Sequence, residues 1–193
     1  MKRSISAILF AGGTSSRMGK DKSLLPFGTY TSLAEYQHVK LRKLFEKVYI
    51  SAKEDKFDFE CIVIKDILQI SSPLIGLISV FETLQSDEVF ILSVDAPFVD
   101  EKTIETLLKY NESALDVIVA KSPNGVQPLC GIYKRSILPL AYAQLEKENH
   151  RLSDLLDLAR TRFVSFEEET PFTNLNHPDE YQNALKQFVN AAE

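Results

Sequence analysis

From Ile5 onward, short apolar runs alternate with segments of helical period, and this alternation limits the fold more than any other feature. Ile5–Phe10 is a nearly continuous apolar run and reads as a buried strand. Leu33–Phe45 carries Leu33, Tyr36, Val39 and Leu44 at helical spacing. Val48–Ala52 and Cys61–Ile64 read as the second and third strands, and Pro73 is well placed to open a helix reaching Leu84. Glu88–Val94 is the fourth strand, and Asp100 reads as the cap of a helix through Leu108. Asp116–Ala120 and Leu129–Tyr133 are further strands, followed by helices over Ser136–Glu146 and Leu152–Ala159. Arg162–Phe166 is a last strand and Asp179–Ala191 a closing helix. Strands alternating with helices imply βαβ units. The expected fold is a three-layer α/β/α domain with a mostly parallel, Rossmann-like sheet, spanning residues 1–193 as a single domain.

In such sheets ligands bind beyond the carboxyl ends of the strands. The segments after Phe10, Ala52, Ile64 and Val94 therefore matter most, and each carries polar or charged residues. The first reads Ala11-Gly12-Gly13-Thr14-Ser15-Ser16-Arg17-Met18-Gly19-Lys20-Asp21-Lys22. Its glycines let backbone N–H groups turn towards one point. Ser15 adds a hydroxyl, and Arg17, Lys20 and Lys22 add positive charge. Together they could hold a triphosphate and neutralise charge that develops in phosphoryl transfer. The loop is neither a Walker A sequence nor G-x-G-x-x-G. Taken alone it leaves open a solvated glycine turn with surface charges.

The chain carries a net charge of −5, which disfavours general nucleic-acid or anionic-membrane binding. A polyanion must then meet a local cationic site. The apolar run after Met1-Lys2-Arg3 is too short for a signal peptide and ends in Gly12-Gly13, so a cytoplasmic protein is expected. Cys61 and Cys130 have no metal-like spacing, and His38, His150 and His177 form no i, i+4 pair.

The segment Gly13–Lys22 resembles the loop of the molybdenum cofactor guanylyltransferases, within a wider group that includes cytidylyltransferases and sugar-phosphate nucleotidyltransferases. Four later segments extend the resemblance in family order. They are Ser72–Ser79 around Pro73-Leu74, Val94-Asp95-Ala96-Pro97-Phe98, Gln127–Tyr133 around Pro128-Leu129, and Phe172–Asp179 around Asn174-Leu175-Asn176. The resemblance implies transfer of GMP from GTP to the phosphate of molybdopterin, with release of pyrophosphate. It also implies Mg²⁺ at Asp95, a carboxylate at a strand's carboxyl end, as Mg²⁺ prefers. A helix-capping aspartate is the bland alternative.

The same resemblance assigns Arg17 and Lys22 to the triphosphate and as catalytic groups beside Asp95. It assigns Phe10, Ala11, Gly12, Gly13 and Ser15 to nucleotide contacts, partly through backbone, and Asp66 to the nucleotide as well. Ser51 falls where the family often has an asparagine near guanine, and one hydroxyl cannot match an amide's donor and acceptor. Asn174 and Asn176, with Pro128 and Gly76, are expected on the pterin side of the cleft. Partners implied are GTP and molybdopterin as substrates, with transient contact to molybdenum-insertion proteins or molybdoenzyme chaperones. The competing expectations are a nucleotidyltransferase using CTP or a sugar phosphate, and a non-catalytic module that hands over bound cofactor.

Overall fold

A computed structural model describes residues 2–12, 21–68, 70 and 72–190. Seven strands form one sheet: β1 (Ser6–Phe10), β2 (Val48–Ala52), β3 (Ile62–Lys65), β4 (Glu88–Ser93), β5 (Val117–Ser122), β6 (Gly125–Lys134) and β7 (Thr161–Ser165), in spatial order β3-β2-β1-β4-β6-β5-β7. The helices are α1 (Leu33–Leu44), α2 (Pro73–Leu84), α3 (Glu101–Lys109), α4 (Leu138–Glu146), α5 (Leu152–Leu158) and α6 (Pro178–Asn190).

Alternating side chains of each strand feed opposite faces. Ala7 and Leu9 of β1 pack with Leu33 and Leu41 of α1, Ile104 of α3 and Ala184 of α6. Ile8 and Phe10 pack on the other face with Leu77 of α2, Ala141 of α4 and Leu155 of α5. The three expected layers follow. Helix α2 is apolar along its length, and Leu74 to Phe81 are all buried. Ser72 caps it by accepting from the Ile75 N–H, and Pro73 opens the first turn.

The sheet is parallel except for β6, which runs antiparallel to both β4 and β5. This strand also begins at Gly125, earlier than the apolar run at Leu129 implies. The reason is a tight hairpin. Ser122 pairs with Gly125 across Pro123-Asn124, and Gly125 takes a φ of +134° that only glycine adopts freely. A hairpin of this length must reverse the chain. Its second strand then inserts between β4 and β5.

At the start of β5, Asp116 ties three strands together. Its Oδ1 accepts from Ser136 Oγ at 2.6 Å and Arg160 Nη2 at 2.7 Å, and its Oδ2 accepts from Arg160 Nε at 2.8 Å and the Arg160 N–H at 3.1 Å. The fork of hydrogen bonds from Arg160 holds the Asp116 carboxyl far below its ordinary value, burial working the other way. Asp116→Asn is expected to lower unfolding free energy by about 2 kcal/mol, the loss of a charge-assisted bidentate pair discounted because Arg160 reaches into water. A depressed folded pKa gives stability that is fully present above the ordinary carboxylate value and lost as pH falls through the folded value. Urea titrations should therefore show the gap between wild type and variant at neutral pH and its progressive narrowing as pH falls below about 4. A gap unchanged at pH 2 would remove this role from Asp116.

Candidate active site

Strands β2 and β3 lie to one side of β1, and β4 to the other, so the chain reverses its direction of travel between β1 and β4. A crevice opens at the carboxyl ends of strands at such a switch point. In register across it stand Ser51, Phe10 and Ser93. The Ala11 N–H donates to the Ser51 carbonyl at 2.9 Å, and the Val94 N–H donates to the Phe10 carbonyl at 2.9 Å. These two bonds continue the ladder one residue past the strands. They fix where the loop after Phe10 and the turn after Val94 leave the sheet.

Asp95 sits in that turn. Its Oδ1 accepts from Ser93 Oγ at 2.5 Å and its Oδ2 accepts from Lys22 Nζ at 2.9 Å. Lys22 Nζ also donates to Asn176 Oδ1 at 3.0 Å. The C-terminal asparagine segment is bound to the same turn, because the Leu175 N–H donates to the Asp95 carbonyl at 2.9 Å. Leu175 is buried in the core at 1% exposure, and this anchors the asparagines on either side of it. Asn176 addresses Lys22, and Asn174 lines the neighbouring cleft. Residues 22, 95 and 176, distant in sequence, thus form one polar cluster. The Asp95 and Lys22 side chains are 21% and 16% exposed, so the pair is accessible to a ligand yet partly shielded from solvent.

Beside the cluster lies a cleft of about 420 Å³. Pro73, Asp95, Pro128, His150, Arg151 and Asn174 are among its lining residues. His150 Nδ1 pairs with Ser72 Oγ at 3.1 Å, which ties this wall to the cap of α2. Pro128 and Asn174 are expected at this cleft from the resemblance, whereas His150 and Arg151 lie in an unremarkable polar stretch before α5 that nothing in the sequence marks out.

Gly76 is placed differently from the expectation. It does not line this cleft. A Cβ on Gly76 would stand 2.9 Å from a ring carbon of Phe10 and 3.0 Å from Ser51 Oγ. Its missing side chain lets α2 settle onto the ends of β1 and β2. Ser51 is 3% exposed beneath that contact. Asp66 follows β3, and its N–H donates to the Ala52 carbonyl at 3.2 Å. Burial pushes its carboxyl up, with Lys53 opposing. It stands at the same edge of the sheet but apart from the Asp95 cluster's hydrogen bonds. Gly12 follows Ala11 where the chain leaves β1. Gly13, Ser15 and Arg17 lie outside the described residues.

Lys56 stands in no motif of the sequence. Its ammonium donates to the Ala11 carbonyl at 3.3 Å and forms a short ion pair with Asp21. Asp21 in turn caps the 3₁₀ turn Lys22–Leu24, accepting from the Ser23 N–H at 3.0 Å and Ser23 Oγ at 2.6 Å. Burial opposes ionisation of Asp21, but the bonds from Lys56 and Ser23 prevail and leave its carboxyl below the ordinary range. One lysine thereby holds the chain on both sides of the glycine-rich segment. Lys56 lies 35 positions beyond Asp21, so only the parallel pairing of β1 with β2 reveals the contact.

Among the described residues there is no group of three or more His, Cys, Asp or Glu able to cage a metal. Asp95 offers one carboxylate at a strand end. That donor set fits a hard cation such as Mg²⁺, which takes one or two carboxylates and completes its shell with phosphate oxygens and water. It does not resemble a structural zinc site.

Residues 7–163 match the MobA-like NTP transferase domain. A molybdenum cofactor guanylyltransferase from Campylobacter jejuni is 39% identical over 180 residues, covering 92% of this chain and 94% of the relative. One from Helicobacter pylori is 34% identical over 187 residues, covering 94% and 92%. The crystal structure of molybdopterin-guanine dinucleotide biosynthesis protein A from Archaeoglobus fulgidus superposes with a TM-score of 0.83 at 16% identity, covering 96% of this chain and all of that one, a likeness of fold. The match of the domain along most of the chain and the two relatives of near-equal length lead to one conclusion: this chain belongs to the MobA-like NTP transferase family, among the molybdenum cofactor guanylyltransferases.

Proposed function

We propose that the protein transfers GMP from GTP to the phosphate of molybdopterin in the cytoplasm, forming molybdopterin guanine dinucleotide and pyrophosphate. The observation that carries this reading is the convergence of Lys22, Asp95 and Asn176 at the β1/β4 crevice, next to a cleft large enough for a second substrate. In the reaction an oxygen of the acceptor phosphate attacks the α-phosphorus of GTP. The bond from that phosphorus to the bridging oxygen of the β-phosphate breaks, and pyrophosphate leaves with the electron pair. The nucleophile is already anionic, so no side chain has to remove a proton. Positioning and charge stabilisation supply the catalysis.

We assign the triphosphate to the segment from Ala11 to Lys22, with Arg17 and Lys22 as its cations. Asp95 would hold Mg²⁺, which when bound neutralises phosphate charge and stabilises the leaving pyrophosphate. The wall formed by Pro128 and Asn174 takes the pterin, whose ring presents donors and acceptors that an asparagine amide can match. Guanine is read chiefly through backbone near the end of β2, because the Ser51 side chain is buried against the Gly76 contact.

The test is the full reaction. Protein, Mg²⁺, molybdopterin and GTP should yield the guanine dinucleotide by mass spectrometry, and CTP in place of GTP should yield little product. Product from CTP but not GTP would assign the site to a cytidylyl transfer. Tight GTP binding with no product under any condition would leave the non-catalytic carrier reading instead.

A further inference from the structure

The turn that carries Asp95 is gripped from behind by α1. Gln37 Nε2 donates to the carbonyls of Ser93 and Val94, each at 3.3 Å. Lys40 Nζ donates to the carbonyls of Pro97 and Val99, each at 2.8 Å. Residues three apart on a helix share a face, so one face of α1 presents both donors. Their four acceptors bracket Asp95, two just before it and two just after. The Asp95 carbonyl itself accepts from the Leu175 N–H.

Both side chains are unfavourable choices for packing alone. Gln37 is fully buried, and its Oε1 has no hydrogen-bond partner among the described residues. A methionine or leucine would fill that core position without the desolvation cost of an unsatisfied amide oxygen. Lys40 keeps an ammonium inside the protein, over the Tyr36 ring at 5.4 Å to its centre. Burial pushes that ammonium down to about 7, with Cys130 and Asp100 opposing. Two costly polar groups thus converge on one turn, and that turn presents the carboxylate of the active cluster.

We propose that Gln37 and Lys40 are positioning residues that set the place of the Asp95 carboxylate by fixing the backbone on both sides of it. The proposal rests on Asp95 being the metal carboxylate of the reaction described above. Groups that orient a metal ligand from outside its shell change metal affinity by about 10- to 100-fold when removed. The effect is thus expected in the metal dependence of GTP binding, with little change in GTP binding itself.

GTP affinity is measured by calorimetry in Mg²⁺ and in EDTA for wild type, Asp95→Ala, Gln37→Met and Lys40→Met. Wild type should bind GTP more tightly in Mg²⁺, and Asp95→Ala should abolish the gain. Gln37→Met and Lys40→Met should each cut the gain about tenfold while affinity in EDTA stays within about twofold of wild type. If Asp95→Ala keeps the full gain, the metal reading of Asp95 fails and the proposal with it. If Asp95→Ala loses the gain but the α1 variants keep it, the positioning proposal alone fails. A purely structural role would weaken binding equally in both buffers, and that result also overturns it. Gln37→Met removes the orphaned amide oxygen and keeps the side-chain length, so it decides the question by itself should Lys40→Met not fold.

Discussion

Asp95→Ala is expected to fold with a melting temperature close to wild type and to lose at least about a thousandfold in turnover, roughly 4 kcal/mol of transition-state stabilisation. The two halves of this expectation come from different atoms of one residue. The carbonyl of Asp95 belongs to the scaffold, since it accepts from Leu175 and helps hold the asparagine segment. Alanine keeps that carbonyl. The carboxylate is the group we assign to the chemistry. It stands 21% exposed between Ser93 Oγ and Lys22 Nζ. Asp95→Asn separates charge from shape. It retains a hydrogen-bonding group of the same size but carries no charge for a metal, and its loss of turnover should approach that of the alanine variant. Pyrophosphate release from GTP plus molybdopterin measures turnover, and circular dichroism melting measures the fold. Turnover within tenfold of wild type in Asp95→Ala would remove this carboxylate from the chemistry.

Much of this site could be read along the chain because its parts lie just past strand ends. Strands β1 and β4 are apolar enough to be located without a structure, and the residue after each falls in the crevice by the geometry of a parallel sheet. Ala11 and Asp95 fall there, whereas Asn174 and Asn176 lie directly after no strand and stood out only through the resemblance of Phe172–Asp179 to the family's segment. Contacts made by parallel pairing and helix packing could not be read. Lys56 reaches Ala11 and Asp21 because β2 lies beside β1, and Gln37 and Lys40 reach the Asp95 turn because α1 covers that end of the sheet. In sequence these are a glutamine and two lysines among many. The direction of β6 was legible in principle. Pro123-Asn124-Gly125 is a hairpin signal, but the expected alternation of strands and helices concealed it. Gly76 carries a packing role that its motif did not suggest, since its missing side chain lets α2 approach Phe10 and Ser51.

Lys22→Met is expected to lower kcat/KM for GTP by about a hundredfold, and its effect should be strongly non-additive with that of Asp95→Ala. Lys22 Nζ lies between Asp95 Oδ2 at 2.9 Å and Asn176 Oδ1 at 3.0 Å, a place where one ammonium balances the carboxylate before substrate arrives and can turn towards phosphate when it does. A lysine suits this dual duty because its charge is compact and its donors rotate. Methionine keeps most of the stem length and removes the charge. Asp95 then loses a close positive partner in the free protein. On our assignment the triphosphate also loses one of its cations, so both effects would act through the same phosphates. Once Asp95 is gone, removing Lys22 has less left to damage. The double variant should therefore lie within about tenfold of Asp95→Ala, well above the product of the two single losses. Steady-state kinetics on the four proteins of the cycle provide the numbers. If the losses multiply, Lys22 and Asp95 act on separate parts of the reaction, and their salt bridge is only a feature of the free protein.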